Sequence, residues 1–461
     1  MNTKSVSIFF LIMIIVFNYS CKKDELDSSL IFSGKIESPN SDTLNILNKN
    51  QEIIESIILN KDKTFIDTLN LSKGFYSFTN GKESTKVFLK PNYDLSLSLN
   101  TKEFDESIKY EGKGANENNY LAKKSLLEES FGDLNYYGFY GKLSESEFLK
   151  LTDSLYNLQK DLLVKSVDLD KDFFFIESKS IEFEKLNKIS TYENLHRFVT
   201  GNKEFKVSEN YPNAFKNVDL SNESLLISPN YLSYIQSYLR KLSNDRMAEN
   251  DDNFDPTLEY VKTIRKEVNS DIIKEELLYD VGKWELNYTK KLDSVFNIIS
   301  LALTNDRYLS EVTVKYKELK KTEKGAISPV FELNDIYGKS ISLNDFKGKL
   351  VYIDIWATWC LPCIIEMPYL KKMKNYFKGK NIQIISICKD DSEKNWRKMV
   401  EEKELGGIQV FAPDNGISFF KDYSVQGIPR FILIDKDGKI IDANAKKPSD
   451  PELQKEIEEY L

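Results

Sequence analysis

Cys360 and Cys363 stand three residues apart, where the apolar run Leu350–Ala357 gives way to the amphipathic stretch Cys360–Phe377. The run reads as a buried strand and the stretch as a helix, so both thiols fall on the first turn after a strand. Thiols at i and i+3 of such a turn can close a disulfide with little backbone movement. A helix start also offers unpaired N–H groups and partial positive charge, which favour a thiolate. On this logic the first cysteine is the exposed attacker and the second resolves the mixed disulfide. Half of a zinc site is the other use of this spacing. The chain has no second C-x-x-C and a single His, His196, which argues against zinc.

Strand and helix patterns alternate around the pair. Val330–Leu333, Ser340–Leu343, Leu350–Ala357, Ile382–Cys388 and Ile408–Phe411 read as strands, and Phe431–Asp435 with Lys439–Asp442 as a hairpin. Cys360–Phe377, Glu393–Lys403, Ile417–Tyr423 and Pro451–Leu461 read as helices. This is an α/β pattern whose last two strands are antiparallel.

The segment Val351-Tyr-Ile-Asp-Ile-Trp-Ala-Thr-Trp-Cys-Leu-Pro-Cys-Ile-Ile-Glu-Met-Pro368, with Gly427-Ile428-Pro429 further on, resembles the thioredoxin superfamily and, within it, the TlpA-like membrane-anchored thiol-disulfide oxidoreductases. The resemblance spans about Ser328 to Leu461. It implies a thioredoxin fold and a redox-active disulfide, Cys360–Cys363, with no further cofactor and no metal. It implies protein thiols and disulfides as substrates and leaves the upstream electron donor open. Asp354 takes the place of the buried acid beneath the disulfide, where a raised pKa lets a carboxyl exchange a proton with Cys363. Glu366 takes the place of the acid in a C-x-x-C-x-x-E pattern and is expected to tune the thiols. Pro429 matches the cis-proline facing the disulfide, with the Ile428 backbone free to pair with a substrate strand. Trp359 is a substrate-contact candidate, and Pro368 is expected to kink the helix. Arg430 departs from the small or hydroxyl residue often found there, which changes the local charge.

The amino terminus points to export. Lys4 precedes the apolar run Val6–Phe17, too short to span a bilayer but of signal-peptide length. Ser20, Cys21 and a charged stretch follow, an order that resembles a bacterial lipoprotein signal in residues 1–21, although Asn18 stands where an aliphatic residue is usual. Cys21 is then the lipidation site and the membrane attachment. The competing reading is an uncleaved anchor with an incidental cysteine. Either places the chain in the bacterial cell envelope, facing the periplasm or the cell surface.

Three modules are expected in the 461 residues: an N-terminal antiparallel β module at 22–114, a central all-α module at 115–322, and the thioredoxin-like domain at 326–461. Runs such as Leu30–Ile36, Thr43–Leu47 and Thr64–Leu69 set the first, a sandwich. Stretches with three- and four-residue apolar spacing, among them Ser178–Asn187 and Trp284–Leu301, set the second, with Gly282 as a helix stop. The net charge of -8 argues against a nucleic-acid partner. His196 and Cys388 read as packing residues. The leading function is therefore an exported, membrane-anchored thiol-disulfide oxidoreductase acting as a disulfide reductase. A thiol peroxidase would need Pro and Thr/Ser where Ile353 and Ala357 stand. A surface ligand-binding lipoprotein with an accessory redox domain is the alternative from another class.

Overall fold

The computed structural model describes residues 29–81, 83–131, 137–246, 254–390, 392–413 and 418–461. The signal segment and Cys21 lie outside the described residues. The chain divides into two compact units. One holds the residues up to Lys216 together with Ser224–Tyr234, and the other holds Asn217–Glu223 with Ile235–Leu461.

Among the described residues the first unit opens with eight strands: β1 (Leu30–Glu37), β2 (Thr43–Leu47), β3 (Ile53–Ile58), β4 (Thr64–Leu69), β5 (Gly74–Thr79), β6 (Ser84–Leu89), β7 (Asp94–Asn100) and β8 (Lys109–Lys113). They form two four-stranded sheets, β4-β1-β7-β8 and β3-β2-β5-β6. Alternation in strands such as β7, with Leu95, Leu97 and Leu99 buried, turns one apolar face into the common core with Phe32, Phe65 and Phe78. The pairs are antiparallel except β1 with β7, which run parallel. β8 escapes a sequence reading because Tyr110 is its only apolar residue; backbone pairing to β7 makes it a strand.

Helix Ala115–Ser130 closes this core with polar side chains. The Asn118 carboxamide accepts from the Phe88 N–H (2.7 Å) and donates to its carbonyl (2.9 Å). Asn119 does the same for Tyr110, at 2.9 and 2.8 Å. Each mimics a strand neighbour and satisfies buried backbone groups. The expected helix Ser178–Asn187 is the middle of a longer one, Lys171–Thr200, started by the Asp170 carboxylate on Asp172 and Phe173 N–H and ended at Gly201 with φ 72°. His196 sits on it with its ring 3.9 Å from that of Phe205.

In the second unit, helices Pro256–Glu267, Asp271–Trp284, Leu292–Ser300 and Asp306–Lys320 precede the redox domain. Gly282 is not a helix stop. Asp271–Trp284 runs through it, and the neighbouring helix leaves room there only for glycine, since a Cβ would come within 2.6 Å of the Val312 side chain. The expected helix over Trp284–Leu301 is interrupted at Thr289–Lys291. The buried Asp255 carboxylate takes the Thr289 hydroxyl and the Lys290 N–H, each at 2.8 Å, a tertiary capture that local periodicity does not carry.

The redox domain opens with the hairpin β9 (Glu332–Asn334) and β10 (Ser340–Ser342). Its five-stranded sheet comprises β11 (Leu350–Trp356), β12 (Ile382–Asp390), β13 (Ile408–Pro413), β14 (Arg430–Ile434) and β15 (Ile440–Asp442) in the order β13-β12-β11-β14-β15. β12 runs parallel to β11 and β13; β14 is antiparallel to β11 and β15. All seven β11 residues are buried, as a central strand covered on both faces requires. Val351, Ile353 and Ile355 enter one core layer. Leu350 and Tyr352 enter the other, with Leu370 and Met373 of helix Leu361–Tyr376 and Leu453 and Ile457 of helix Pro451–Tyr460. Among the described residues no helix is long and apolar enough to cross a membrane.

The close approach at Gly282 is testable. Gly282→Ala gains helix propensity of about 1 kcal/mol but overpacks against Val312 by about 1–3 kcal/mol. Chemical denaturation should show a net loss of about 1 kcal/mol in the native background, and a gain when Val312→Ala has opened the space.

Candidate active site

The end of β11 delivers the chain through Ala357–Trp359 to Cys360, the N-cap residue of helix Leu361–Tyr376. Cys360 and Cys363 form a disulfide with their Cα atoms 5.3 Å apart. The Cys360 sulfur accepts the Cys363 N–H at 3.2 Å, so the cap of this helix is a sulfur atom. Exposure does not separate the two cysteines in the disulfide state. Cys360 is 3% and Cys363 4% exposed, whereas Trp359 beside them is 68% exposed. What separates them is position: Cys360 at the helix end, Cys363 inside the first turn. Pro368 lies within the helix.

Asp390, which the sequence reading passed over, ties down the approach to the disulfide. Its carboxylate accepts from the Thr358 N–H (2.9 Å) and from the Thr358 hydroxyl. Cys388 is a free, buried thiol two residues earlier, in the cluster that holds Cys360, Cys363, Trp356 and Trp396. Burial, with the carboxylates of Asp390 and Asp354, pushes its pKa up, so it stays protonated.

Asp354 alternates onto the β11 face that helix Leu361–Tyr376 covers, and it is buried. Burial pushes its pKa up to about 6, against the opposing pull of Lys374 and a hydrogen bond from Ser386, its register partner on β12. Lys374 is itself pushed down to about 8 by burial. Its ammonium donates to the Gly406 carbonyl (3.0 Å) and to Ser386 Oγ (3.4 Å). A carboxyl beneath the redox helix and an amine on that helix's last turn thus both titrate near neutrality. Glu366 is buried rather than a solvated helix residue. Its carboxylate accepts the Ser449 N–H and hydroxyl, both at 2.8 Å, and faces the Lys447 ammonium at 3.5 Å.

The Ile428–Pro429 peptide bond is cis, and Ile428 packs on the cluster that contains both cysteines. Residues from the helical part of the same unit hold this loop. Lys315 donates to the Gln426 side-chain carbonyl at 2.6 Å and to the Lys283 carbonyl. Burial and the neighbouring Arg430 push the Lys315 ammonium down to about 7. The Tyr288 hydroxyl approaches so closely that a Cβ on Gly427 would lie 3.2 Å from it. Arg430 is buried, with Nε donating to the Ala443 carbonyl (2.8 Å) and the guanidinium over the Tyr288 ring (5.8 Å). Asn287, its amide oriented to accept, takes a second guanidinium N–H at 2.9 Å. The unusual Arg430 thereby serves the join between helical segment and loop. Lys315, Asn287 and Tyr288 carried no signal in sequence, since they meet the loop only across more than a hundred residues of chain.

The sequence of the redox domain matches known proteins. The Redoxin family model matches residues 323–461. Thiol-disulfide oxidoreductase ResA of Bacillus cereus is 36% identical over 146 residues, covering 32% of this chain and 81% of that protein. The chain belongs to the thioredoxin-superfamily thiol-disulfide oxidoreductases. ResA of Bacillus thuringiensis subsp. konkukian is 37% identical to this oxidoreductase over 141 residues, 31% of this chain and 78% of the relative. The solved thioredoxin domain of a thiol-disulfide oxidoreductase from Bacteroides vulgatus is 34% identical with a TM-score of 0.28, across 30% of this chain and 97% of that one. The redox group of the enzyme is its own cysteine pair.

The raised Asp354 value has a signed consequence for stability. The folded carboxyl titrates near 6 and an ordinary one near 3.8, so the folded chain keeps a proton that the unfolded chain releases between these values. Stability therefore falls as pH rises through that window, and the full penalty persists above it. Asp354→Asn should stabilise the oxidoreductase by about 1–3 kcal/mol at pH 8 and by almost nothing near pH 3.5, as read by denaturant midpoints at the two pH values.

Proposed function

We propose that the oxidoreductase is an exported, membrane-anchored disulfide reductase in which Cys360 is the nucleophile and Cys363 the resolving thiol. The observation that carries this reading is the Cys360 sulfur capping a helix start, where backbone N–H groups and the helix dipole stabilise a thiolate. In the reduced enzyme the Cys360 thiolate attacks one sulfur of a substrate disulfide. The new S–S bond forms as the substrate bond breaks, and the leaving thiolate takes a proton. The Cys363 thiol then loses its proton and attacks the Cys360 sulfur, closing the enzyme disulfide and releasing the second substrate thiol. Two electrons and two protons pass to the substrate, and an external dithiol must restore them.

Asp354 is assigned as the acceptor of the Cys363 proton through its raised pKa. Glu366 is assigned an indirect part, since its charge helps to hold the Asp354 value up. The cis bond before Pro429 turns the backbone at Ile428 towards an incoming substrate strand, and exposed Trp359 borders the same approach. The reductase direction rests on the likeness to TlpA-like proteins. Equilibration with glutathione should give a potential nearer -270 than -120 mV, the two ends of the range for such pairs.

The full chain should reduce insulin disulfides with dithiothreitol as donor. Cys360→Ser should abolish that reduction, and Cys363→Ser should accumulate a mixed disulfide visible on non-reducing gels. Mixed disulfides collecting in Cys360→Ser, with none in Cys363→Ser, would reverse the two roles.

Anchoring is assigned to Cys21, after the short apolar run Val6–Phe17. Mass spectrometry of the membrane-extracted protein should find a diacylglyceryl group on an N-terminal Cys21. An intact Met1, or a mature chain that starts elsewhere, contradicts it.

A further inference from the structure

A buried acid that takes a proton has to hand it on. Asp354 is 7% exposed and lies under the redox helix. With a value near 6 its carboxyl is ionised in neutral solution, so a proton taken from Cys363 leaves it again for water.

A polar row leads outwards from the acid. Asp354 on β11, Ser386 on β12 and Gln409 on β13 are register partners and so share one face of the sheet. All three are buried, on a face otherwise packed with residues such as Tyr352, Leu370 and Ile384. Polar groups in such a core are costly unless they are bonded. Ser386 hydrogen-bonds the Asp354 carboxylate on one side and accepts from the Lys374 ammonium, at 3.4 Å, on the other. The Gln409 amide donates to the Gly406 carbonyl at 2.9 Å, and its own oxygen is buried with no hydrogen-bond partner among the described residues. A leftover acceptor at that depth is ordinarily met by water.

Lys374, from the last turn of the redox helix, joins this row to the surface. Its ammonium also donates to the Gly406 carbonyl at 3.0 Å, in an open cleft of about 390 Å³ lined by Lys374, Ile384, Leu405, Gly406 and Gly407. Gly407 keeps the place clear. Its φ is 71°, and a Cβ on it would lie 3.3 Å from both Cε and Nζ of Lys374. Burial holds Lys374 near 8, so part of the population carries a neutral amine that can accept a proton.

The other charged side chains of the cleft are Lys371, Lys378 and Glu404, and Lys371 pairs with Glu404 at 3.6 Å. Around Asp354 the remaining titratable neighbours are Glu366 on the redox helix, Tyr352 on β11 and Cys388 on β12. None of these three lines the cleft.

Resting on the assignment of Asp354 as acceptor of the Cys363 proton, we propose that Ser386 and Lys374 form the path by which that proton reaches water, with Lys374 as the carrier at the mouth. The protonated carboxyl gives its hydrogen to Ser386 Oγ while Ser386 passes its own to the Lys374 amine. The resulting ammonium sheds a proton to water in the cleft and becomes a neutral amine again. No electrons move in this step, and neither residue touches the reacting sulfurs.

The test uses the full reduced chain, an aromatic disulfide whose thiols leave as coloured thiolates, and a pH-indicator dye in weak buffer above the Asp354 value. The first thiolate marks attack by Cys360 and the second marks closure of the enzyme disulfide. Aromatic thiolates of this kind take up no proton, so the dye reads the proton that Cys363 loses. With the native chain it should arrive together with the second thiolate. In Lys374→Ala and Lys374→Arg the first thiolate should keep its rate. The proton should lag the second thiolate by roughly a hundredfold, the lower end of what a positioned proton carrier supplies. Arginine keeps the charge but holds its proton too tightly to pass it on. Ethylamine should shorten the lag in Lys374→Ala in proportion to its free-base concentration and leave Lys374→Arg unchanged. A prompt proton in Lys374→Ala, or native timing in Lys374→Arg, overturns the path. Asp354→Asn tests the assignment beneath it. If the second thiolate keeps its native rate there, the Asp354 assignment falls and the path with it. Slowed closure in Asp354→Asn beside a prompt proton in Lys374→Ala removes the path alone.

Discussion

The redox half of the molecule depends on one constraint, the complete burial of β11. A strand covered on both faces has no freedom of register, because a one-residue slip would exchange its two core layers. That register sends Asp354 to the face beneath helix Leu361–Tyr376 and brings the chain out of the sheet at the loop that ends in Cys360. The acid and the disulfide are thus placed by the same packing. Asp354 needs no special partner to acquire an elevated pKa, since burial supplies the shift and Lys374 only moderates it.

A second dependence runs through the loop before β14. Neighbouring elements hold the loop that carries the cis peptide bond. Here Lys315, Asn287, Tyr288 and Arg430 do so, with hydrogen bonds and a ring contact in place of an apolar seam. The helical segment from Asp271 to Lys320 is part of the same compact unit as the redox domain and touches it at this loop.

The strands of the sandwich and of the redox sheet were legible in the sequence wherever side chains alternate or run apolar without a break. Thr43–Leu47 and Thr64–Leu69 are read to the residue, and β11 is recognised by its length and its continuous apolar character. β8 was not, having one apolar residue and a partner strand to define it. Gly282 was misread because glycine ends helices when the backbone turns left-handed but also sits inside them where another helix comes close. Only the position of Val312 distinguishes the two. The break before Leu292 has the same character, since Asp255 captures two groups from a distant part of the chain.

By itself the sequence determined the chemistry. A strand, a C-x-x-C pair and a helix are local in the chain, and local geometry suffices to put two sulfurs within bonding reach at a helix start. An acid two residues before the end of an apolar strand, and a proline after Gly427-Ile428, could be named for the same reason. Tertiary structure alone decided the surroundings: that both sulfurs are buried in the disulfide state, that Glu366 is held by Ser449, that Asp390 anchors Thr358, and that Lys315 reaches Gln426. These contacts join residues 32 to 111 positions apart. Pattern in a sequence reports which face of an element is apolar, whereas the partner a polar group finds depends on where the whole chain has brought its other polar groups.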